Sequence, residues 1–145
     1  MADASTRDQT ALVLAQLVTA IKQRDLEAVV ALASDDCVVE SMTKGGLSGR
    51  AGIRALFHEW LTAFPDMAVH AQETIVDGDR GVLVLTLAGT DLGGFMGLPA
   101  TGKSFRLSAV MMLTVAEHTI VRYRSVYDFT GLLVQVGILK AKPAL

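Results

Sequence analysis

Cysteine is almost missing from this sequence. Cys37 is the only one in 145 residues, which excludes an internal disulfide framework and any zinc site built on several thiolates. Proline occurs three times and never in a cluster, so no proline-rich linker divides the chain. Neither charge sign dominates. Thirteen Lys and Arg stand against 15 Asp and Glu, a net charge of −2, so the basic field of a nucleic-acid surface is lacking. No run approaches the roughly 20 apolar residues that span a bilayer. The stretch from Met1 to Gln9 is polar, without the apolar run of a signal peptide. His58, His70 and His118 are scattered, with no carboxylates at ligand spacing, so no metal is expected. These absences predict a soluble, cytoplasmic protein that binds neither membrane nor nucleic acid.

What the chain does have is apolar substance. It is 51% hydrophobic and 19% charged, which suits one core-rich domain over residues 1–145. The first half reads as helices. Ser5 and Asp8 have the spacing of a capping box, and Leu14, Leu17, Val18 and Ile21 follow on one helical face. Asp25 caps a second short helix carrying Leu26, Val29, Val30 and Ala33. Residues 37–43 read as a short strand, and Gly45-Gly46 as a turn. A third helix after Ser48 places Ile53, Leu56, Phe57, Trp60, Leu61 and Phe64 on one bulky face, and Pro65 stops it.

The second half changes to strand periodicity. Residues 67–76, 81–88, 105–115 and 120–127 read as strands. Asp77-Gly78-Asp79, the glycine-rich stretch 89–102 and the 116–119 turn separate them. Phe129, Leu132, Leu133 and Val136 return to helical spacing, with Gly137 as the cap. Helices followed by a strand meander predict an α+β domain, its helices packed on one face of a curved antiparallel sheet. A sheet bent around helices forms a half-open cone with a mouth for a small ligand.

Gly97-Leu-Pro-Ala-Thr-Gly102-Lys103-Ser104 matches the phosphate-binding pattern G-x-x-x-x-G-K-[ST]. That chemistry needs a strand directly before the loop and a helix directly after it. Here a long loop precedes the pattern and alternating residues follow it, so a hairpin connection is the expected reading.

Three groups of residues carry a resemblance. They are Trp60-Leu-Thr-Ala-Phe64-Pro65-Asp66; Gly89-Thr90 with Gly93-Gly-Phe95-Met-Gly97-Leu-Pro99-Ala100-Thr101-Gly102; and Asp128-Phe-Thr-Gly-Leu132-Leu133-Val-Gln135-Val-Gly137. In this order they resemble the SnoaL-like polyketide cyclases of the NTF2-like fold, from about Leu14 to Gly137. The resemblance implies an α+β cone whose best-known members close a ring of an aromatic polyketide by intramolecular aldol condensation, without metal or organic cofactor. A carboxylate near the end of the last strand is the acid/base in those members, and Asp128 matches it by position. Two positions depart from the family pattern. Asp91 stands where many members carry histidine, and Arg124 where many carry an aromatic residue.

The candidate site therefore has Asp128 as acid/base, His70 as a donor to a developing enolate oxygen, and Arg124 paired with Asp128 or a substrate oxygen. Trp60, Phe64, Met111, Met112 and Tyr123 are the candidates to line a cavity for a flat apolar ligand. Asp91 stands at the pocket or its rim, and Met42 and Met96 at the mouth. A strong competing role for Asp128 is the N-cap of the terminal helix. The implied partner is a polyketide-like or aromatic small molecule, with a homodimer or higher homo-oligomer expected by analogy. A non-catalytic ligand-binding or assembly module on the same fold is the alternative.

Overall fold

The apolar spacings of 3.6 and 2 residues become helices and strands, in that order, in the computed structural model, which describes residues 4–140. The order is α1 (Ala4–Lys22), α2 (Leu26–Ala31), β1 (Ala33–Glu40), α3 (Gly49–Ala63), β2 (Ala68–Asp77), β3 (Arg80–Thr90), β4 (Ser104–Ala116), β5 (Thr119–Tyr127) and α4 (Phe129–Gln135). The helical turn at Ala4 already includes Ser5, so Ser5 is not the expected N-cap. Asp25 does cap α2, accepting a hydrogen bond from Ala28 N at 3.1 Å.

The sheet runs β1-β5-β4-β3-β2. Strands β2 to β5 form the expected antiparallel meander, while β1 joins its far edge parallel to β5. The side chains of Leu83, Leu85 and Leu87 on β3 and of Phe105, Leu107, Ala109, Met111 and Leu113 on β4 are buried on one face. They form one core with Leu14, Leu17 and Ile21 of α1 and with Ile53, Leu56, Phe57 and Trp60 of α3. Residues of the other parity, such as Arg106, Ser108, Arg122 and Arg124, look outward. Strand period 2 thus divides β4 and β5 into a wall of the cone and an outer surface.

One irregularity matters for the site. Thr114 pairs with Arg122 and Val115 with Ile120, so Val121 is an extra residue in β5. This bulge puts both Ile120 and Tyr123 inside despite their odd spacing. From Arg122 to Tyr127 the alternation is regular.

The β3–β4 connection is held from within. Asp91, fully buried, accepts hydrogen bonds from Gly94 N (3.0 Å), Thr101 N (3.1 Å) and Thr101 Oγ1 (3.1 Å). Its backbone carbonyl accepts from Gly102 N at 2.9 Å. Strand β4 begins at Ser104, so a strand and not a helix follows the Gly97–Ser104 pattern. An amide of that pattern already serves an internal carboxylate, which would repel a phosphate. The stretch is a hairpin connection.

Candidate functional site

Between α1, α3 and the inner sheet face lies a half-open hollow lined by Ile21, Leu56, Phe57, Trp60, Met67, Leu87, Ala109, Met111, Tyr123, Ser125 and Tyr127. About 40 Å³ is open to the centre of a water molecule, within about 470 Å³ of unfilled space that includes the opening to solvent. Each wall follows from local periodicity. Leu56, Phe57 and Trp60 are the inward positions of α3, Ala109 and Met111 those of β4, and Tyr123, Ser125 and Tyr127 those of β5.

The walls are almost entirely carbon. The hydrogen-bonding side chains among the lining residues are the Trp60 indole and the hydroxyls of Tyr123, Ser125 and Tyr127, which succeed one another along β5. Burial pushes the Tyr127 phenol up to about 12, with the negative charge of Glu59 adding to the effect. Burial also raises the Tyr123 phenol. Both therefore stay protonated, as neutral donors, across the physiological range. Aromatic edges hold the wall in place. Trp60 meets Tyr127 with centroids 5.0 Å apart at 89°, and Phe57 meets Tyr123 at 5.7 Å and 61°.

Of the residues singled out from the sequence, the hollow brings together Trp60, Met111 and Tyr123. Phe64 is instead deep core. It ends α3 and packs on Trp60, Phe95 and Phe105. Met112 follows Met111 on a strand, so it faces outward, where it borders an outer depression with Arg80, Arg122 and Arg124. His70 pairs across the sheet with Thr86 and is exposed on the outer face. Arg124 also points out and is ion-paired with Glu40 at 3.6 Å rather than with Asp128. The bulge at Val121 precedes both arginines, so it leaves their shared parity intact. Asp91 organises its loop and does not line the hollow.

Asp128 is exposed and lies outside the lining. It is the N-cap of α4, its Oδ1 accepting from Gly131 N at 2.8 Å. Met96 is exposed on the β3–β4 loop, and Met42 is exposed outside the lining of the hollow, in a separate shallow depression with Glu40, Arg124 and Val126, where Tyr127 N donates to its Sδ at 3.4 Å.

Periodicity could have found Ser125 and Tyr127, which continue the inward parity of Tyr123. A residue that sequence reasoning passes over is Glu59. It lies on α3 three positions after Leu56 and one before Trp60, with a side chain only 15% exposed and ion-paired to Lys44 at 3.3 Å. A lone glutamate on a helix reads as solvated, and only the fold reveals its surroundings.

Residues 11–136 match the SnoaL-like polyketide cyclase family. The chain belongs to this family. Among solved structures, AclR from Streptomyces galilaeus, a proposed hydroxylase, is 27% identical with a TM-score of 0.81, over 94% of this chain and 86% of that one. IdmH from Streptomyces antibioticus, a proposed polyketide cyclase, is 27% identical with a TM-score of 0.74, over 89% and 99%. A SnoaL-like protein from Jannaschia sp. CCS1 is 18% identical with a TM-score of 0.83 over 99% of both chains, a likeness of fold alone. No curated protein matches the chain. The architecture of this SnoaL-like chain is thus the NTF2-like α+β cone, and its function is of the polyketide cyclase type. Among the described residues no helix is long and apolar enough to cross a membrane.

Proposed function

We propose that this SnoaL-like protein folds a polyketide-like or aromatic carbonyl compound inside the hollow and closes a ring in it by intramolecular aldol-type addition, without metal or organic cofactor. The observation that carries this reading is the carbon-lined hollow backed by hydroxyls along one strand. Such walls suit a flat, uncharged ring system with oxygens along one edge. In the reaction, a carbon flanked by carbonyls loses a proton, the enolate attacks a second carbonyl, and the new alkoxide is protonated. The hollow supplies proximity, and protonated hydroxyls stabilise the developing oxyanion. The space present is smaller than the roughly 300–1,000 Å³ of small-molecule sites. The flexible side chains of Met67 and Met111 are the walls that give way.

Trp60 is the single tryptophan and lines the hollow, so it reports occupancy directly. Titration with 1,8-dihydroxyanthraquinone is expected to quench its fluorescence. Ala109→Leu, which fills the hollow, is expected to abolish the quenching. A linear aryl triketone incubated with the protein is expected to give a cyclised product. Quenching without any cyclisation would leave only a binding module. One observation favours that second reading: Asp128 is committed to capping at the surface.

The same proposal includes a cytoplasmic homodimer, formed by pairing of the outer sheet faces. Val38, Ile75 and Val126 are 47%, 49% and 41% exposed there. Sedimentation equilibrium tests the dimer.

A further inference from the structure

Proton abstraction from carbon needs a base, and the lining of the hollow offers none: its polar side chains are hydroxyls and an indole. Among the described residues, Glu40, Glu59 and Asp91 are the carboxylates that are not exposed. Glu40 lies on the outer side of the sheet, ion-paired with Arg122 at 2.7 Å and Arg124 at 3.6 Å. Asp91 is saturated by its own loop. Glu59 remains. It stands on α3 three positions after Leu56 and one before Trp60, both of which line the hollow, and its charge acts on the phenol of Tyr127, which lines it too.

The connection between β1 and α3 makes one contact with the backbone of Tyr127 and one with Glu59. Met42 Sδ accepts from Tyr127 N, and Lys44 Nζ holds a Glu59 carboxylate oxygen at 3.3 Å. Lys44 comes from a loop and is 43% exposed, whereas Glu59 is fixed on a helix. The partner that can withdraw is therefore the lysine. Its withdrawal frees the carboxylate beside Trp60 on α3.

We propose that Glu59 is the acid/base of the site and that Lys44 is the latch that covers it. Glu59 takes the proton of a carbon activated by carbonyl groups, and the electrons of the broken C–H bond pass into the enolate. The enolate carbon bonds to the second carbonyl carbon, whose π electrons move onto oxygen. Glu59 then returns its proton to that alkoxide, so nothing is consumed. This assignment rests on the hollow being the binding site of a carbonyl compound.

The test uses 2-tetralone, an uncharged bicyclic ketone, in D₂O. Exchange of its C1 protons is followed by NMR, and its Kd by Trp60 fluorescence. The wild-type protein is expected to accelerate exchange over buffer. Glu59→Gln is expected to lose about 100-fold or more of that acceleration, with Kd unchanged. Glu59→Asp keeps part of it, and Lys44→Met retains or raises it. Circular dichroism identical to wild type shows that each variant folds. Undiminished exchange in Glu59→Gln, or binding by the wild type with no exchange above buffer, overturns the role of Glu59 while leaving the hollow as a binding site. No quenching of Trp60 by 2-tetralone or by the anthraquinone overturns the binding site itself, and the assignment with it.

Discussion

Asp128 and Gly131 are joined by a 2.8 Å hydrogen bond from the Gly131 amide to the Asp128 carboxylate, which closes the first turn of α4. The bond turns the side chain toward the helix end at the point where β5 leaves the sheet. A carboxylate in that geometry satisfies one of the orphan amides of the helix and sits in the favourable end of its dipole. Asp128→Ala is therefore expected to lower stability by about 0.5–2 kcal/mol, read as a lower urea midpoint. Asp128→Asn, an equally good cap, should lose much less. Neither variant should change the Kd for 2-tetralone. Loss of proton exchange in a fully folded Asp128→Asn protein would return this residue to the chemistry and displace Glu59.

Tyr123 and Tyr127 contribute hydroxyls to a site that otherwise offers carbon. Tyr127→Phe keeps the edge-to-face contact with Trp60 and removes only the donor. A net hydrogen bond of about 0.5–1.5 kcal/mol predicts a roughly twofold to tenfold weaker Kd for an oxygenated ring system. The affinity of the corresponding hydrocarbon should not move. Equal losses for both ligands would mean that the hydroxyl faces away from the ligand.

Much of this architecture is legible in the sequence because burial imposes a period. The alternation of Phe105, Leu107, Ala109, Met111 and Leu113 announces β4, and the spacing of Ile53, Leu56, Phe57 and Trp60 announces α3. Gly137 closes α4 as anticipated: its N–H donates to Val134 O (3.1 Å) and that of Ile138 to Leu133 O (2.9 Å). What stays hidden depends on contacts distant in sequence. The parallel pairing of Val38 with Arg122 cannot be seen in either strand alone. The same holds for the bulge at Val121, which decides which parity of β5 faces inward. Met111 and Met112 look equivalent by composition, yet the pleat sends them to opposite faces. Glu59 gains its significance only from Lys44 and Tyr127, which lie 15 residues before it and 68 after it in the chain.

Alkaline stability follows from three buried acids, Cys37, Tyr127 and Tyr123, the last raised by burial so that its contribution too is lost as pH rises above 10.0. Burial, followed by the nearby Asp36 charge, pushes the Cys37 thiol from 9.0 to about 11, and the Tyr127 phenol rises from 10.0 to about 12. In each case the unfolded chain ionises first, so above that point it binds fewer protons than the fold and stability falls as pH rises. Cys37 contributes fully below pH 9 and loses its contribution by about pH 11; Tyr127 does so between 10 and about 12. Urea midpoints are expected to be flat from pH 7 to 8.5 and to decline from pH 9. Cys37→Ala should remove the earliest part of the decline. A decline of unchanged onset in that variant would assign it to other groups.

Gly81 lies on the inner face of β3 directly beneath α1. A Cβ at this position would stand 2.5 Å from Leu14 Cδ2 and 2.8 Å from Cδ1, so the close approach of helix and sheet requires glycine. The neighbour is the tip of a leucine side chain, which can yield only by leaving a good rotamer in a filled core. Gly81→Ala is therefore expected to cost about 1–3 kcal/mol, seen as a lower urea midpoint at unchanged m-value. Leu14→Ala alone should cost about 2–5 kcal/mol by opening a cavity. In the double variant the added methyl occupies the vacated space, so the combined loss should be smaller than the sum of the two. Strict additivity would show that the two residues do not meet and that α1 is not seated on β3 at this point.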